Sequence, residues 1–415
     1  MTRLIFLNRY FYPDHSASSQ ILSDLAFHLA TIGKEVHVIT SRQLYDDHKA
    51  RLPAEENVRG VHVHRIATTR FGRSTLLGRS LDYFTFYASM WRSTRALARP
   101  NDILIAKTDP PLISVPAMLA ARRRGTRLVN WLQDIYPEVA MQLGVPFFKG
   151  RIGGFLCSLR NKSLNAAAAN VVVGNLMGKK ISSLGVLVKR IHVIPNWCDD
   201  KNIYPITTTD NPLRREWGLQ DKFVVGYSGN LGRAHEYQTI LAASERLRNR
   251  PHIIFLFIGG GYYFDELART VKARNLNQTY RFMPYQNQTN LNYALGVADV
   301  HWISLRPEVD GLIVPSKFYG IAAAGKPMIA ITAKDGEIAQ FVRGGDCGVV
   351  IEPGDAETLA AAIVQLSLNV ELLNAMGRRA RVMLEAQFTR EHALERWRRI
   401  FDDVGRQDYF VESGK

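Results

Sequence analysis

Short apolar segments alternate with longer amphipathic ones almost throughout the chain. The first half contains seven apolar segments, RLIFLN, EVHVIT, VHVHRI, DILIA, RLVNWL, NVVV and IHVIP. The second half contains six more, FVVGYSG, HIIFLFIG, TYRFM, DVHWIS, PMIAI and CGVVIEP. Segments of this length predict buried strands, and the segments between them predict helices. Strands that alternate with helices are typical of parallel sheets covered on both faces.

The alternation stops between Asn196 and Phe223, in a stretch rich in Asp, Asn, Thr and Pro. Such a composition indicates a linker, and a chain of 415 residues is too long for one ordinary core. We therefore predict an α/β protein with two Rossmann-like, doubly wound parallel-sheet domains that face each other across a cleft. The first is expected over residues 1–200 and the second over 215–387, with a last helix at 388–405 that crosses back onto the first.

Composition and charge narrow the class of protein. No apolar run reaches the roughly 18 residues that span a bilayer, and the three cysteines lack C-x-x-C spacing, which suits a reducing cytoplasm. The net charge is +15, and the stretch from Arg70 to Arg127 alone holds 11 basic and 3 acidic residues. Such an excess fits a solvated basic face, a nucleic acid, an anionic membrane or an anionic substrate.

Two glycine-rich turns and one helix start in the second half indicate a bound anion. The turns are YSGNLGRAHE, from Tyr227 to Glu236, and IGGGYY, from Ile258 to Tyr263. Each follows a predicted strand, where glycines let a ligand approach the backbone. Ser316 is the predicted N-cap of the next helix, and Lys317 lies in its first turn. A cation there opposes the helix dipole unless an anion lies beside it.

Several kinds of site are missing from the sequence. It contains no P-loop, no H-E-x-x-H and no Asp-x-Asp, and the first strand–helix turn, NRYFYPDHSASSQ, has no glycine. The eleven histidines do not cluster along the chain. We therefore expect neither a cofactor nor a metal ion.

Four longer stretches resemble one known family. They are FYPDHSASSQILSDLAFHLATIGKEVHVIT, WLQDIYPE, VVGYSGNLGRAHEYQTIL and VPSKFYGIAAAGKPMIA. Together they resemble retaining glycosyltransferases of the GT-B fold in the large fourth sequence family. Within it, the chain is similar to colanic-acid-type enzymes that build bacterial capsule, exopolysaccharide and O-antigen. The resemblance implies that the anion is the diphosphate of a nucleotide-sugar and that no metal is needed.

The resemblance also implies roles for particular residues. Lys317 and Arg233 would stabilise the charge that develops on the leaving diphosphate. Asp134 would orient a sugar hydroxyl or the acceptor, although it could equally cap the helix that follows. The acceptor-side loop would include Ser16, Ser18 and Ser19. The donor-binding residues would be Ser228, Gly229, Asn230, Gly260, Asp310, Gly311, Leu312, Ile313, Val314, Ser316 and Glu337.

The chain departs from the family pattern at one acid. The family usually carries two acids in the second donor loop, which here begins at Asp310 and leads into VPSKFYGIAAAGKPMIA. The acid that holds the ribose would fall at Gly320, which has no side chain. Asp310 can stand for the first acid. Glu337, at the start of the next helix, is a possible substitute for the second.

Two predicted helices of the first domain suggest where the acceptor binds. One carries an apolar stripe of Leu77, Leu81, Phe84, Ala88 and Trp91, and the other a stripe of Phe148, Ile152, Phe155 and Leu159. Core packing is the ordinary explanation of such stripes. Flanking basic residues, which include Arg151, Arg160 and Lys162, favour an interfacial helix. We therefore predict peripheral attachment to the anionic inner membrane from the cytoplasm.

These observations predict an enzyme that transfers one sugar, with retention, from a nucleotide-sugar to a lipid-linked saccharide. Two related possibilities stay open: a GT-B nucleotide-sugar 2-epimerase and a non-catalytic nucleotide-sugar-binding protein. A basic nucleic-acid-binding protein is a third, but the chain carries no RRM or helix-turn-helix signature.

Overall fold

The computed structural model describes residues 2–71, 76–145, 148 and 150–406. The chain divides into two compact units. The first unit comprises the residues up to Pro195 together with those from Ala393 onward, and the second unit comprises Asn196–His392. Each is built around one sheet covered by helices, so the predicted pair of Rossmann-like domains is confirmed.

The sheet of the first unit has eight strands in the order β3-β4-β2-β1-β5-β6-β7-β8. In chain order they are β1 (Leu4–Leu7), β2 (Val36–Ser41), β3 (Glu55–Val58), β4 (Val61–Ile66), β5 (Ile103–Lys107), β6 (Arg127–Leu132), β7 (Ala169–Val172) and β8 (Ile191–Val193). All neighbours are parallel except β3, which pairs with β4 in the antiparallel direction. The apolar pattern did not predict β3, because its sequence EENV lies largely exposed at the sheet edge.

Six helices follow these strands and cover the sheet. They are α1 (Ala17–Thr31), α2 (Leu76–Leu97), α3 (Ser114–Arg124), α4 (Glu138–Gln142), α5 (Gly150–Ala166) and α6 (Asn175–Ser183). The apolar residues of β1 and β5 are fully buried between the helical layers. This burial explains why these strands read as continuous apolar runs.

The sheet of the second unit has six parallel strands in the order β11-β10-β9-β12-β13-β14. They are β9 (Phe223–Asn230), β10 (Ile253–Gly260), β11 (Tyr280–Met283), β12 (Val300–Ser304), β13 (Met328–Ile331) and β14 (Gly348–Ile351). The helices are α7 (Pro212–Glu216), α8 (Gln238–Arg246), α9 (Phe264–Ala273), α10 (Leu291–Gly296), α11 (Lys317–Ala323), α12 (Glu337–Gly344), α13 (Ala356–Leu368) and α14 (Val370–Gln387).

The last described helix, α15 (Arg390–Arg406), packs on the sheet of the first unit. The Trp397 ring lies 4.6 Å from the Trp131 ring on β6, and the Phe401 ring lies 6.1 Å from that of Phe6 on β1. Trp397 and Phe401 are both buried. The C-terminal helix therefore completes the core of the N-terminal unit.

The structure corrects the expectation that the histidines do not cluster. His37, His62 and His64 lie on neighbouring strands, and their rings stack with centroids 4.9 and 5.3 Å from that of His37. His37 Nδ1 lies 3.0 Å from His64 Nε2. The sequence separates these residues, and only the pairing of β2 with β4 brings them together.

No single helix of the described chain is long and apolar enough to cross a membrane. One bent pair, Ala356–Leu368 with Val370–Arg406, passes the same test by length and composition.

Candidate functional site

The two glycine-rich turns lie side by side at the carboxyl ends of β9 and β10. Gly229 and Gly259 face each other across this strand pair, with φ angles of +123° and +135°. A Cβ atom at Gly259 would lie 2.4 Å from the Gly229 carbonyl oxygen, and one at Gly229 would lie 2.9 Å from Lys317 Cε. Both positions therefore require glycine, and the lack of a side chain at Gly229 lets the Lys317 side chain contact the turn.

Lys317 is the centre of the predicted donor site. Its Nζ donates a hydrogen bond to the Asn230 carbonyl oxygen at 3.0 Å and lies 5.0 Å from the centroid of the Tyr227 ring. Burial lowers the pKa of Lys317 to about 8. No carboxylate contributes to this shift, and the hydrogen-bond partners of the ammonium group among the described residues are neutral, so it has capacity for an anionic ligand.

His235 serves as a neutral support for Lys317. Its Nδ1 lies 2.7 Å from the Ser304 carbonyl oxygen, which can only accept, so Nδ1 carries the proton. Its Nε2 therefore has a free lone pair toward Lys317 Nζ, at 3.5 Å. Burial, with a smaller effect of the Lys317 charge, lowers the pKa of His235 to about 3. The histidine thus positions the lysine without adding charge.

Arg233 lies in the same turn but in a different environment. The residue is exposed, and its guanidinium carbon lies 4.1 Å from the centroid of the Tyr262 ring in the second glycine-rich turn. A planar guanidinium stacked on an aromatic ring keeps its N–H groups available at the edge. Both cations predicted for the site therefore lie at the carboxyl edge of one sheet.

The second donor loop is held by Asp310 rather than by Ser316. Asp310 Oδ1 accepts hydrogen bonds from the backbone N–H of Gly311 at 3.0 Å and of Glu337 at 3.4 Å. Burial raises the pKa of Asp310. This aspartate therefore helps to cap α12. Ser316 occupies the N-cap position of α11, as predicted, but its side chain makes no capping hydrogen bond there.

The remaining predicted donor-binding residues contribute mainly backbone groups rather than polar side chains. Leu312 and Val314 are buried apolar side chains, and Gly311 has a φ angle of +69° in the turn that Asp310 and Ile313 close with an isolated bridge. Ser228 and Gly260 are partly buried near the ends of paired strands β9 and β10. Glu337 is only 1% exposed, and its carboxyl group lies near the Tyr319 phenol, whose pKa it helps to raise.

A second cavity lies at the carboxyl ends of β1, β5 and β6 in the first unit. It has a volume of about 330 Å³ and is lined by Asp134 and Ser18 together with four further side chains that carry charge or a phenol group. These are Arg79, Tyr83, Lys107 and Tyr136. Thr108 joins the ends of two strands here, since its Oγ1 donates to the Trp131 carbonyl and accepts from the Gln133 N–H.

Lys107 is the residue that sequence reasoning missed. It is 1% exposed, and its Nζ has no hydrogen-bond partner among the described residues. That atom lies 3.6 Å from the centroid of the Trp131 ring. Burial lowers the pKa of Lys107 to about 7, against the opposite effect of Asp134 and Asp109. Burial likewise raises the pKa of Asp134 to about 6, while the Lys107 charge lowers it. The two groups therefore titrate as neighbours near neutral pH.

The predicted acceptor-side serines separate in the structure. Ser18 lines the cavity. Ser16 Oγ instead donates to Asp14 Oδ1, and Ser19 is fully buried in α1. The interpretation of Ser19 as a ligand-facing residue is therefore corrected.

The apolar stripes of α2 and α5 are exposed. Leu77 and Phe84 on α2 are 80% and 70% exposed, and Ile152 and Phe155 on α5 are 49% and 62% exposed. The other predicted members, Leu81, Ala88, Trp91, Phe148 and Leu159, range from exposed to partly buried. Trp91 packs against the core of the first unit. Leu77, Leu81 and Phe84 on α2 and Ile152 and Phe155 on α5 remain exposed, so these five side chains form apolar surface on the two helices.

Arg160 does not belong to the basic flank predicted beside these stripes. It is 3% exposed, and its guanidinium pairs with the Glu138 carboxylate and donates to the Tyr136 carbonyl oxygen at 2.9 Å. Arg151 and Lys162 are exposed. The prediction is therefore wrong for Arg160, which joins α5 to the loop that carries Asp134.

Within the described residues, no group of three or more His, Cys, Asp or Glu side chains has a geometry that could hold a metal ion.

Comparison with known proteins identifies the family of each half. Residues 17–197 match the model of the glycosyl transferase 4-like domain, and residues 210–383 match that of glycosyl transferases group 1. The chain is 28% identical over 340 residues to the probable glycosyltransferase WbjE of Pseudomonas aeruginosa, covering 79% of this chain and 81% of that protein. It is 27% identical over 375 residues to the putative colanic acid biosynthesis glycosyl transferase WcaI of Escherichia coli strain K12, covering 86% and 90%.

Solved structures of the same fold include complexes with a nucleotide. The crystal structure of Anabaena Alr3699/HepE in complex with UDP matches with a TM-score of 0.72 at 15% identity, covering 97% of this chain and 100% of that one. At this level of identity the likeness concerns the fold, and it agrees with the two Rossmann-like units described above.

Proposed function

Because the chain belongs to the GT-B glycosyltransferases that act in bacterial polysaccharide biosynthesis, we propose that it transfers one sugar from a nucleoside diphosphate sugar to a lipid-linked saccharide, with retention of configuration. The observation that carries the proposal is the Lys317 ammonium group, which is held by a backbone carbonyl and a neutral histidine at the carboxyl edge of a Rossmann-like sheet.

The donor would bind to the second unit through its diphosphate. Lys317 would contact a diphosphate oxygen, and Arg233 would add a second cation from its position on Tyr262. As the bond to the sugar breaks, negative charge increases on the leaving diphosphate, and fixed cations favour that state over the ground state. The binding of UDP by the HepE protein of the same fold supports this assignment.

The acceptor would bind to the first unit through the cavity of Asp134 and Lys107. Four charges line it, Arg79 and Lys107 against Asp109 and Asp134, so they balance. A balanced cavity with tyrosine side chains suits a neutral saccharide better than an oxyanion. Ionised Asp134 would accept a hydrogen bond from a sugar hydroxyl, and no separate nucleophile or metal ion is required.

The exposed stripes of α2 and α5 would hold the first unit against the inner membrane leaflet. Apolar side chains would enter the headgroup region, and nearby arginine and lysine would each contribute about 1 kcal/mol with anionic lipid. A lipid-linked acceptor keeps its saccharide close to the bilayer, so such attachment would bring the acceptor to the enzyme.

Calorimetric titration with UDP, GDP, ADP and dTDP tests the donor assignment. We expect one of them to bind the wild-type protein and the affinity to survive EDTA. Lys317→Met should weaken that binding, while Lys272→Met, on the exposed face of α9, should not. Equal nucleotide affinity of the two variants would contradict the proposal. Binding that is lost in EDTA and restored by magnesium would also contradict it.

Co-sedimentation with anionic liposomes tests the membrane assignment. Phe84→Asp with Phe155→Asp should release the protein from vesicles at low salt. Val188→Asp is the matched control, because Val188 is 74% exposed in the same unit outside the two stripes. Arg151→Glu with Lys162→Glu should weaken binding at low salt and make the remaining binding less sensitive to added salt, because the electrostatic attraction to anionic lipid is lost. Wild-type protein that stays in the supernatant at low salt would favour a soluble acceptor instead.

A further inference from the structure

The largest cavity among those described lies in the second unit, at the edge of the sheet opposite the glycine-rich turns. It has a volume of about 840 Å³. Its wall includes Phe223, His252, Asp299 and Pro327, which begin or immediately precede β9, β10, β12 and β13. The carboxyl ends of these strands belong to the proposed donor site. The cavity is therefore a separate place in the same unit.

Lys326 provides the cavity with a buried cation. The residue is 8% exposed and lines the cavity, and within the described chain its ammonium group makes no hydrogen bond and no ion pair. Burial lowers the pKa of Lys326 to about 8, while Asp299 raises it and Arg214 lowers it. A buried ammonium without a partner is costly unless a ligand supplies the missing acceptor.

The other charges at this cavity leave an excess of positive charge. Asp299 is already neutralised by both guanidinium nitrogens of Arg214, each at 3.1 Å. Lys222, Arg378 and Arg381 also line the cavity, against a single further acid, Asp221. An anion is therefore favoured over a neutral or cationic ligand.

An apolar wall accompanies these cations. Leu366 and Leu373 contribute buried side chains, while Val370 and Val382 line the cavity although each remains 63% exposed. Inorganic phosphate or a free nucleotide would leave such a wall uncovered. An alkyl chain would cover it, with a gain of about 25 cal/mol for each Å² of apolar surface buried.

We infer that this cavity binds an anionic amphiphile, with its oxyanion head at Lys326 and its alkyl chain along Leu366, Val370, Leu373 and Val382. A fatty carboxylate and an alkyl phosphate share this chemistry. The site does not depend on the proposed transfer reaction, and a ligand there would bind independently of a nucleotide.

Calorimetry of the full-length protein with four probes tests the inference: octanoate, octyl phosphate, octanol and inorganic phosphate. We expect octanoate or octyl phosphate to bind about tenfold more tightly than octanol and than inorganic phosphate. Preference for octanoate would identify a carboxylate head, and preference for octyl phosphate a phosphate head. Octanol that binds equally well would exclude Lys326 as the head-group ligand. Inorganic phosphate that binds as tightly as octyl phosphate would exclude a contribution of the apolar wall to binding.

Variants locate the site. Lys326→Met should abolish the preference for the charged probes, Lys326→Arg should keep it, and Val370→Asp should weaken all alkyl probes. The exposed Lys272→Met is the charge-matched control and should bind as the wild type does. Saturating nucleoside diphosphate should not displace the amphiphile. Displacement, or unchanged preference in Lys326→Met, would overturn the inference.

Discussion

Each unit places a lysine at the carboxyl edge of its sheet, Lys107 buried and Lys317 partly buried, and the surroundings of these lysines differ. Lys107 in the first unit lies over the face of Trp131, with Asp134 and Asp109 near enough to raise its pKa. Among the described residues, the polar contacts of the Lys317 ammonium group in the second unit are a carbonyl oxygen and a neutral histidine, with a tyrosine ring nearby. Burial destabilises both ammonium groups, yet only Lys107 has an acid that compensates for it.

This difference separates two chemical tasks. A buried cation with a carboxylate neighbour forms a nearly neutral site, which suits a polyhydroxylated ligand. A buried cation with neutral partners retains its charge for an anion, which suits a diphosphate. The same residue type at the same edge of a sheet therefore supports different assignments, and the neighbouring acid decides between them.

The largest expected effect is the loss of nucleotide binding in Lys317→Met. Removing charge-assisted hydrogen bonds to a diphosphate costs about 2–3 kcal/mol, which is roughly 30- to 150-fold in Kd. Lys107→Met should leave the nucleotide Kd unchanged. Calorimetry on both variants measures the contrast directly, and an equal loss in both would show that the two lysines do not have separate tasks.

A smaller effect is expected for Arg233. Its guanidinium group is exposed, so solvent screens its interaction with the diphosphate, and Arg233→Ala should weaken nucleotide binding by about five- to tenfold. Tyr262→Leu removes the ring below the guanidinium and should produce part of the same loss. If Tyr262→Leu has no effect on nucleotide binding while Arg233→Ala weakens it, stacking on Tyr262 does not hold the Arg233 guanidinium in its binding position.

The Lys107→Met variant should change the pH profile of transfer. The Lys107 charge lowers the pKa of Asp134, so its removal should raise that pKa above about 6 and protonate Asp134 at a higher pH. The acid limb of the pH–activity profile should move to higher pH, so that activity is about threefold lower at pH 7 and recovers near pH 8. Lys107→Arg should keep the wild-type limb. A uniformly lower rate with an unshifted limb would indicate a structural role.

The smallest effect concerns stability without ligand. Burial lowers the pKa of Lys317 from 10.5 to about 8, so between these values the unfolded chain binds more protons and the free energy of unfolding rises with pH. At pH 7 Lys317→Met should therefore raise the melting temperature by about 2–4 °C. The difference in melting temperature between Lys317→Met and the wild type should disappear as the pH rises from about 8 toward 10.5. A lower melting temperature, with Lys272→Met unchanged, would refute this account.

Much of the fold follows from local sequence patterns. All thirteen apolar segments correspond to strands. The central strands β1, β2 and β5 are buried along their whole length, and a strand buried on both faces must be largely apolar. The edge strand β3 has no such requirement, and its sequence EENV accordingly carries no signal. The glycine-rich turns were equally visible, since a positive φ angle and a 2.4 Å approach leave no room for a side chain.

The partners of polar side chains were decided only by the tertiary structure. Lys107 and Asp134 become neighbours because β5 pairs with β6, and Arg160 leaves the basic surface because Glu138 and Tyr136 lie against α5. Asp310 caps a helix that begins 27 residues later in the chain. Apolar periodicity depends on the distance along a helix or strand, so a sequence displays it. The electrostatic state of a buried group depends on charges brought near it by sheet pairing and packing, so only the folded chain determines it.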